Sequence, residues 1–195
     1  MKKLILLYIM FMVLNMTYSQ QKDTTKPRLF FTSFIGKGSV NANLHSSISN
    51  GTLSMTGIEL QLKKHSSFYG EVNFDGYNFK KNATTYSINS TLNTIALTVG
   101  YKYRFTQTKL APYLKIGLGL ANITYPIADT KNGFTVIENK SNISFQFQSS
   151  VGVAYNFNKN YGVFADAGYQ QYQTQQFLQN NLSLIGIKIG FTSAF

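Results

Sequence analysis

Residues 91–105 read TLNTIALTVGYKYRF and alternate between two kinds of side chain. Bulky apolar and aromatic residues occupy every second position from Ile95 to Phe105, and mostly small or basic residues stand between them. A period of two is typical of a β-strand whose two faces meet different surroundings. The second face, with Ala96 and Lys102, is poor in charge, so the stretch raises the question of which face meets water.

The composition of the 195 residues narrows the choice of protein class. Charged residues make up only 13% of the chain, about half the usual share of a soluble domain. The absence of Cys excludes disulfides, thiolate metal sites, a Cys nucleophile and a lipid-anchored N-terminal Cys. The net charge of +11 is compatible with nucleic acid, but the basic residues form no stripe, so we expect no nucleic-acid partner.

The N-terminus has the pattern of a secretory signal. Basic residues at positions 2 and 3 precede the apolar run LILLYIMFMVL of residues 4–14, and Thr17 and Ser19 fit the small positions of a cleavage site. The alternative, a transmembrane anchor, needs about 20 apolar residues. We predict a signal peptide at 1–19 and a short periplasmic segment at 20–27. No long apolar run follows, which argues against a helical membrane protein.

The mature chain contains eight stretches with strand character and no segment with helical periodicity between them. Short polar connections alternate with longer ones, as in an even-stranded antiparallel meander with turns at one end and loops at the other. Each stretch exceeds the 9–11 residues that a tilted strand needs to cross a bilayer. The predicted strands are 28–38, 53–63, 67–80, 91–105, 111–124, 142–157, 160–172 and 182–195.

The polar face decides between a soluble barrel and a membrane barrel. A face in water should be rich in Lys, Glu and Asp, but here it is mostly Gly, Ala, Ser, Thr, Asn and Gln. Such side chains fit the narrow interior of an eight-stranded barrel, and a closed barrel satisfies its backbone hydrogen bonds in lipid. We predict an all-β, eight-stranded antiparallel up-and-down transmembrane β-barrel, apolar face outward, over residues 28–195.

Two features of the strands need interpretation. The alternation changes parity near Thr56–Gly57 and near Gly76, and we interpret both changes as β-bulges. Aromatic residues gather near strand ends, which predicts interfacial girdles, although β-propensity alone also enriches Tyr and Phe. The predicted girdles contain Tyr103, Phe105, Tyr113, Tyr155, Phe157 and Tyr161 at the turn end, and Tyr77, Phe79, Tyr125, Tyr169 and Tyr172 at the loop end.

Charged residues of the strands fall on the face opposite the bulky side chains. Isolated charges in a narrow lumen are costly, so we expect ion pairs and hydrogen bonds that fill it, with Lys188 pointing to a carboxylate. Hydration at the rims is the alternative for Lys63, Arg104 and Asp75. The predicted lumen charge network consists of Glu59, Glu71, Asp75, Lys102, Arg104, Lys115, Asp166 and Lys188.

With these features the chain resembles small outer-membrane barrels of the OmpA/OmpX type of Gram-negative bacteria. Its Asn-, Lys- and Tyr-rich sequence resembles Bacteroidetes outer membrane protein beta-barrel domains. In such families the last strand carries an assembly signal, and in IGIKIGFTSAF (185–195) Lys188, Gly190 and Phe195 match it. Ser193 departs from it, because an aromatic residue is expected there. The resemblance implies location in the cell outer membrane and insertion by the barrel-assembly machinery, and we expect a monomer.

Signals for catalysis are few. Some barrels of this size modify lipid A and resemble one another in a His, a Ser and an acid near the outer rim. His45, beside two serines, lies in a loop on that side, whereas His65 lies in a turn at the other end. A solvated histidine is the simpler interpretation of His45. Asp129 and Glu138 are too few for a calcium site. We expect no catalytic, metal or cofactor site, and lipid A modification stays open as an alternative.

Function is therefore expected at the surface or in the lumen. Residues 125–141 contain the alternating piece FTVI, and we predict that it prolongs the flanking strands as a hairpin beyond the membrane. Projecting sheet edges bind partner strands, so loops 39–52 and 125–141 are candidate sites for an extracellular partner. The loop-side residues Lys80, Lys81, Lys131 and Lys140 are candidates for contact with lipopolysaccharide phosphates.

Three roles stay open on the sequence alone. The first is a structural or surface-interaction, adhesion-like role with a polar, largely plugged lumen. The second is a narrow porin-like channel for ions or small solutes, and the third is a lipid A-modifying enzyme.

Overall fold

A computed structural model describes residues 27–40, 48–79, 91–131, 134–174 and 181–194. In these ranges no helix is long and apolar enough to cross a membrane. The secondary structure is a series of β-strands: β1 Arg28–Val40, β2 Ile48–Gln61, β3 Ser66–Phe79, β4 Thr91–Arg104, β5 Leu110–Lys131, β6 Phe134–Asn156, β7 Tyr161–Tyr172 and β8 Leu182–Ala194. The predicted signal peptide at 1–19 and most of the segment at 20–27 lie outside the described residues.

The eight strands form one closed antiparallel barrel in which each strand pairs with its neighbours in the chain. The ring closes between β1 and β8, in a register that runs from Phe30↔Ala194 to Val40↔Leu184. Closure removes the two free edges that an open sheet would expose. In lipid this is required, because backbone groups at a free edge would have no hydrogen-bond partner. The predicted eight-stranded antiparallel up-and-down barrel is confirmed.

Strand pairing extends into the two predicted loops at 39–52 and 125–141. The predicted loop at 125–141 is mostly a hairpin, because β5 and β6 pair continuously up to Lys131↔Phe134; the expected prolongation of the flanking strands is correct. The predicted loop at 39–52 is wrong at both ends, since β1 extends to Val40 and β2 begins at Ile48. Polar residues suggested loops there, but pairing with β8 and β3 continues through them.

The two faces of the sheet have opposite polarity to those of a soluble barrel. On β4 the side chains of Leu97 and Val99 are 62% and 63% exposed on the outer surface, whereas Ala96 and Thr98 are fully buried inside. The same alternation continues on β8, where Ile187 is outward and Lys188 is inward. The predicted orientation, with the apolar face outward, is confirmed.

The two bulges predicted from changes of parity are wrong. β2 pairs with β3 without interruption on both sides of Thr56–Gly57, and the register shift of this pair lies between Ile48 and Gly51. β3 also pairs with β4 continuously through Gly76. In the loop-side half of the barrel, inward positions hold apolar residues such as Leu53. The apolar residues therefore change from the outward to the inward positions of the sequence pattern, although the strand itself continues without a bulge.

Apolar side chains occupy the loop end of the lumen. They come from seven of the eight strands and pack into one cluster that is nearly inaccessible to solvent. Burying a large apolar side chain away from water stabilises by about 1.5–3 kcal/mol. This loop-end cluster consists of Val40, Ile48, Leu53, Tyr77, Leu92, Ile123, Tyr172, Leu182 and Leu184.

Candidate functional site in the barrel interior

The charged residues of the strands lie inside the barrel, below the loop-end cluster. All members of the predicted lumen charge network occupy inward positions; Arg104 is half-buried near the turn end, and the others are buried. Rim hydration was the alternative for three residues. Of these, Asp75 is buried, Arg104 pairs with a buried carboxylate, and Lys63 is exposed in the turn between β2 and β3.

Glu59 of β2 accepts hydrogen bonds from two basic side chains of β4. Lys102 Nζ lies 2.9 Å from Oε2, and Arg104 Nη2 lies 2.5 Å from Oε1. The contacts cross β3, where the inward residue in register with Lys102 is Ser67. A serine is small enough to leave room for this crossing, and the use of both carboxylate oxygens compensates the cost of burying the charge.

Glu71 of β3 is the centre of a second cluster. Lys115 Nζ of β5 forms an ion pair with Oε2. The amide nitrogen of Gln148, on β6, donates a 2.5 Å hydrogen bond to Oε1 and lies 3.0 Å from the hydroxyl oxygen of Tyr69. These contacts tie three strands together across the lumen.

Glycines at inward positions make room for two tyrosine rings that lie across the lumen. A Cβ atom at Gly117 would lie 2.2 Å from the hydroxyl oxygen of Tyr69, and a Cβ atom at Gly152 would lie 2.6 Å from that of Tyr113. Any larger residue at these glycines would therefore displace a ring. The small-residue face predicted from the sequence is thus shaped by specific partners.

The three lumen lysines share one arrangement, because each ammonium group lies over an aromatic ring. A cation over a ring face is attracted by the ring quadrupole, more strongly where water is excluded. The pairs, with the distance from Nζ to the ring centroid, are Lys102 over Tyr113 at 4.3 Å, Lys115 over Tyr69 at 4.2 Å, and Lys188 over Phe34 at 4.5 Å.

Lys188 differs from the expectation that it points to a carboxylate. The side chain is inward and buried, but within the described part of the chain no carboxylate forms an ion pair with it. Its register partner on β7 is Asp166. That carboxylate instead accepts hydrogen bonds from the Tyr113 hydroxyl at 3.0 Å and from Ser150 at 3.5 Å.

Asp75 links the charged interior to the loop-end cluster. Its Oδ2 accepts hydrogen bonds from Thr94 at 3.3 Å and from the hydroxyl of Tyr172, a member of that cluster, at 3.4 Å. Below it, a cavity of about 20 Å³ lies between the clusters of Glu59 and Glu71. This is room for about one water molecule.

The sequence predicted small and amide side chains in the interior, but it did not identify Gln148 and Tyr69 as partners of the charged residues. Gln148 and Tyr69 follow the parity of the small residues, which is the signal that could have found them. At the turn end, the predicted girdle residues Tyr103, Phe105, Tyr155, Phe157 and Tyr161 are on the outer surface or in the turns, as a girdle requires. The girdle prediction is wrong for Tyr113, Tyr77, Tyr125 and Tyr172, because their side chains are buried at inward positions.

Four further residues named in the sequence analysis complete the comparison. His45 and Phe195 lie outside the described residues. Gly190 lies at the seam between β8 and β1, where a Cβ atom would lie 2.3 Å from the carbonyl oxygen of Ser33. His65 is held in its turn, with Nδ1 2.7 Å from the carbonyl oxygen of Arg104.

Comparisons with known proteins agree with this geometry. Residues 8–195 match the profile of the outer membrane protein beta-barrel domain. No curated protein matches the sequence significantly.

Several solved structures share the fold at low sequence identity. Neisserial surface protein A (NspA) has a TM-score of 0.61 and 14% identity, and the match covers 88% of this chain and all of that one. The attachment invasion locus protein of Yersinia pestis, Ail, has a TM-score of 0.57, 14% identity and the same coverage. OprG from Pseudomonas aeruginosa has a TM-score of 0.56 and 10% identity, and the match covers 89% of this chain and 97% of OprG.

Proposed function

Since the chain belongs to the family of outer membrane protein beta-barrel domains, we propose that it acts at the cell surface through its β5–β6 hairpin. The barrel is of the small OmpA/OmpX type and resides in the outer membrane. The proposal includes export by the signal at 1–19, insertion by the barrel-assembly machinery, contact with lipopolysaccharide, and a monomeric barrel without enzymatic activity.

The hairpin carries the proposal because it continues beyond its neighbours. β4 last pairs with β5 at Asn93↔Thr124, and β7 last pairs with β6 at Gln146↔Tyr172. Beyond these levels β5 and β6 still pair with each other up to Lys131↔Phe134. At about 3.3 Å per residue the ribbon extends roughly 20 Å past the end of β4 pairing.

A two-stranded ribbon presents its backbone edges to partner strands. In the described residues neither β4 nor β7 follows the ribbon to its tip. Ail, which has the same fold, was solved in complex with the heparin analogue sucrose octasulfate. That complex is a precedent for ligand binding by a barrel of this fold, and the ligand of the present chain is proposed only by its mode of contact, strand addition at the ribbon.

A filled lumen supports a surface role over a channel. The clusters of Glu59 and Glu71 occupy the turn-side half, and the loop-end cluster occupies the other. Conduction would require these side chains to move together. For lipid A modification, His65 offers no support, because its two ring nitrogens contact the Arg104 carbonyl and the Gln107 amide in the turn.

The surface role is tested by shortening the hairpin. Tyr125 and Lys140 are direct partners, so residues 126–139 can be replaced by Asn-Gly, which forms a two-residue turn. Cells displaying the full chain should adhere to an immobilised mixture of extracellular proteins, and the shortened variant should lose that adhesion while its band on gels remains heat-modifiable. Adhesion no greater than that of cells without the protein, or equal adhesion by both forms, would contradict the proposal.

A further inference from the structure

The turn end of the barrel contains a cavity of about 480 Å³ that the surface role does not use. Its walls come from the start of β1, the end of β8 and the turns that follow β4 and β6. The volume lies within the range of ligand pockets, roughly 300–1,000 Å³. Turns of bacterial outer-membrane barrels face the periplasm. The basic residues in the walls are Arg28, Lys64, Arg104, Lys109 and Lys159.

In the described part of the chain, the side chains that line this cavity carry more positive than negative charge. Of the residues that the structure describes, no Asp or Glu lines it. Glu59 contacts Arg104 from the lumen side, but its buried carboxylate is shared with Lys102. A concave surface lined by one sign of charge concentrates ions of the opposite sign. The cavity therefore favours an anion.

Its two guanidinium groups are held in place before any ligand arrives. Arg28 donates hydrogen bonds to the carbonyl oxygen of Lys159 and to Oδ1 of Asn160, the latter at 3.2 Å. The ring of Phe30 lies 5.2 Å from Cζ of Arg28 and 5.8 Å from Cζ of Arg104. A fixed guanidinium loses less conformational entropy on binding, and its fork of donors matches phosphate oxygens.

We propose that the turn-end cavity binds a phosphate-bearing anion from the periplasmic side. Lys109 and Lys159 are exposed at the entrance and attract the anion, while Arg28 and Arg104 form the deeper, fixed part of the site. Thr106, Thr108 and Asn158 supply neutral polar groups in the same wall. Two sources share this chemistry, the headgroup of an anionic phospholipid in the inner leaflet and a soluble organic phosphate.

The experiment is calorimetric titration of pyrophosphate into the full chain refolded in neutral maltoside micelles at low ionic strength. The test variant is Lys109→Gln/Lys159→Gln, which leaves the backbone contacts of these residues intact. The control is Lys37→Gln/Lys140→Gln, which removes the same charge from exposed residues outside the cavity. We expect the test variant to bind about tenfold more weakly than the parent chain, since it removes two of the charges that attract the anion, and we expect the control to bind like the parent chain.

The outcomes separate the sources and can overturn the site. Phosphatidylglycerol added to the micelles should abolish pyrophosphate binding if the headgroup is the natural ligand, and should leave it unchanged if a soluble phosphate is. Both results support the proposal that the turn-end cavity is an anion site. Absence of binding by the parent chain, or an equal loss of affinity in the test and control variants, would show that the cavity is not an anion site. Heat-modifiable migration establishes that each variant is folded.

Discussion

Lys102 and Glu59 form a 2.9 Å ion pair inside the barrel although β3 separates the strands that carry them. Ser67, the residue of β3 in register with Lys102, is too small to separate them. The same carboxylate also holds Arg104. One buried carboxylate thus pairs with two basic side chains. Removing the acid and removing one base should therefore change the free energy of unfolding by different amounts.

Removal of the acid should lower the free energy of unfolding more than removal of one base. In Glu59→Gln, Lys102 and Arg104 lose their shared partner, and the loss of a buried pair costs about 3–5 kcal/mol. In Lys102→Met, the carboxylate keeps Arg104, so we expect the smaller cost of a charged hydrogen bond, about 1.5–3 kcal/mol. Urea unfolding in phospholipid vesicles measures both. Lys63→Met, at an exposed turn residue, is the control and should leave stability unchanged.

The pairing inside the lumen predicts which double mutants are coupled. Glu59 and Lys102 are direct partners, whereas Glu71 pairs with Lys115. A double-mutant cycle on Glu59→Gln and Lys102→Met should give a coupling free energy of about 1–3 kcal/mol. The cycle on Glu71→Gln and Lys102→Met should give less than half of that. Equal coupling in the two cycles would contradict the assignment of partners.

A methyl group at Gly117 should disturb the Tyr69 ring. The added Cβ atom would lie 2.2 Å from the hydroxyl oxygen of Tyr69, while a Cβ atom at Gly70 of β3 would meet nothing within 4 Å. We expect Gly117→Ala to lower the free energy of unfolding by about 1–3 kcal/mol and Gly70→Ala to have little effect. Tyr69→Phe, which removes the clashing oxygen, should partly rescue Gly117→Ala. A similar loss at both glycines would argue against the packing described.

The outward face predicts a depth-dependent cost for charge. Leu97 lies in the middle of β4 and is largely exposed on the outer surface, where lipid surrounds the barrel. Leu97→Arg should destabilise by about 2–4 kcal/mol, whereas Phe105→Arg at the turn end should cost about 0–1 kcal/mol. Refolding into vesicles followed by urea titration compares the two variants. An equal cost at both positions would be inconsistent with the orientation of the barrel in the membrane.

The fold could be predicted from the sequence because alternation is a local property. In stretches such as 94–105 the residues alone show which side chains share a face, and the scarcity of charge on the small face shows that this face is the interior. Pairing partners are not local. Lys102 reaches Glu59 rather than Glu71 because of strand register and the small Ser67, and neither can be read from one strand.

The same limit explains the errors at the loop end. An apolar side chain in a membrane strand is expected to face lipid, so the sequence pattern assigns Leu53 and Tyr77 to the outer face. That assignment produces the apparent changes of parity that suggest bulges. In the structure both belong to the loop-end cluster, and a Cβ atom at Gly51 would lie 2.3 Å from the Tyr77 ring. An apolar residue inside a barrel is recognised only when its partners from other strands are known.

The most direct test of a surface role with a filled lumen is the conductance of the full chain refolded into a planar lipid bilayer. The interior contains the cluster of Glu59 at the turn side and the loop-end cluster at the other, with a cavity of about 20 Å³ beside the former. We predict that the barrel inserts without producing current steps above those of the empty bilayer. Reproducible single-channel steps from heat-modifiable, purified protein would contradict the filled lumen and favour a narrow pore for ions or small solutes.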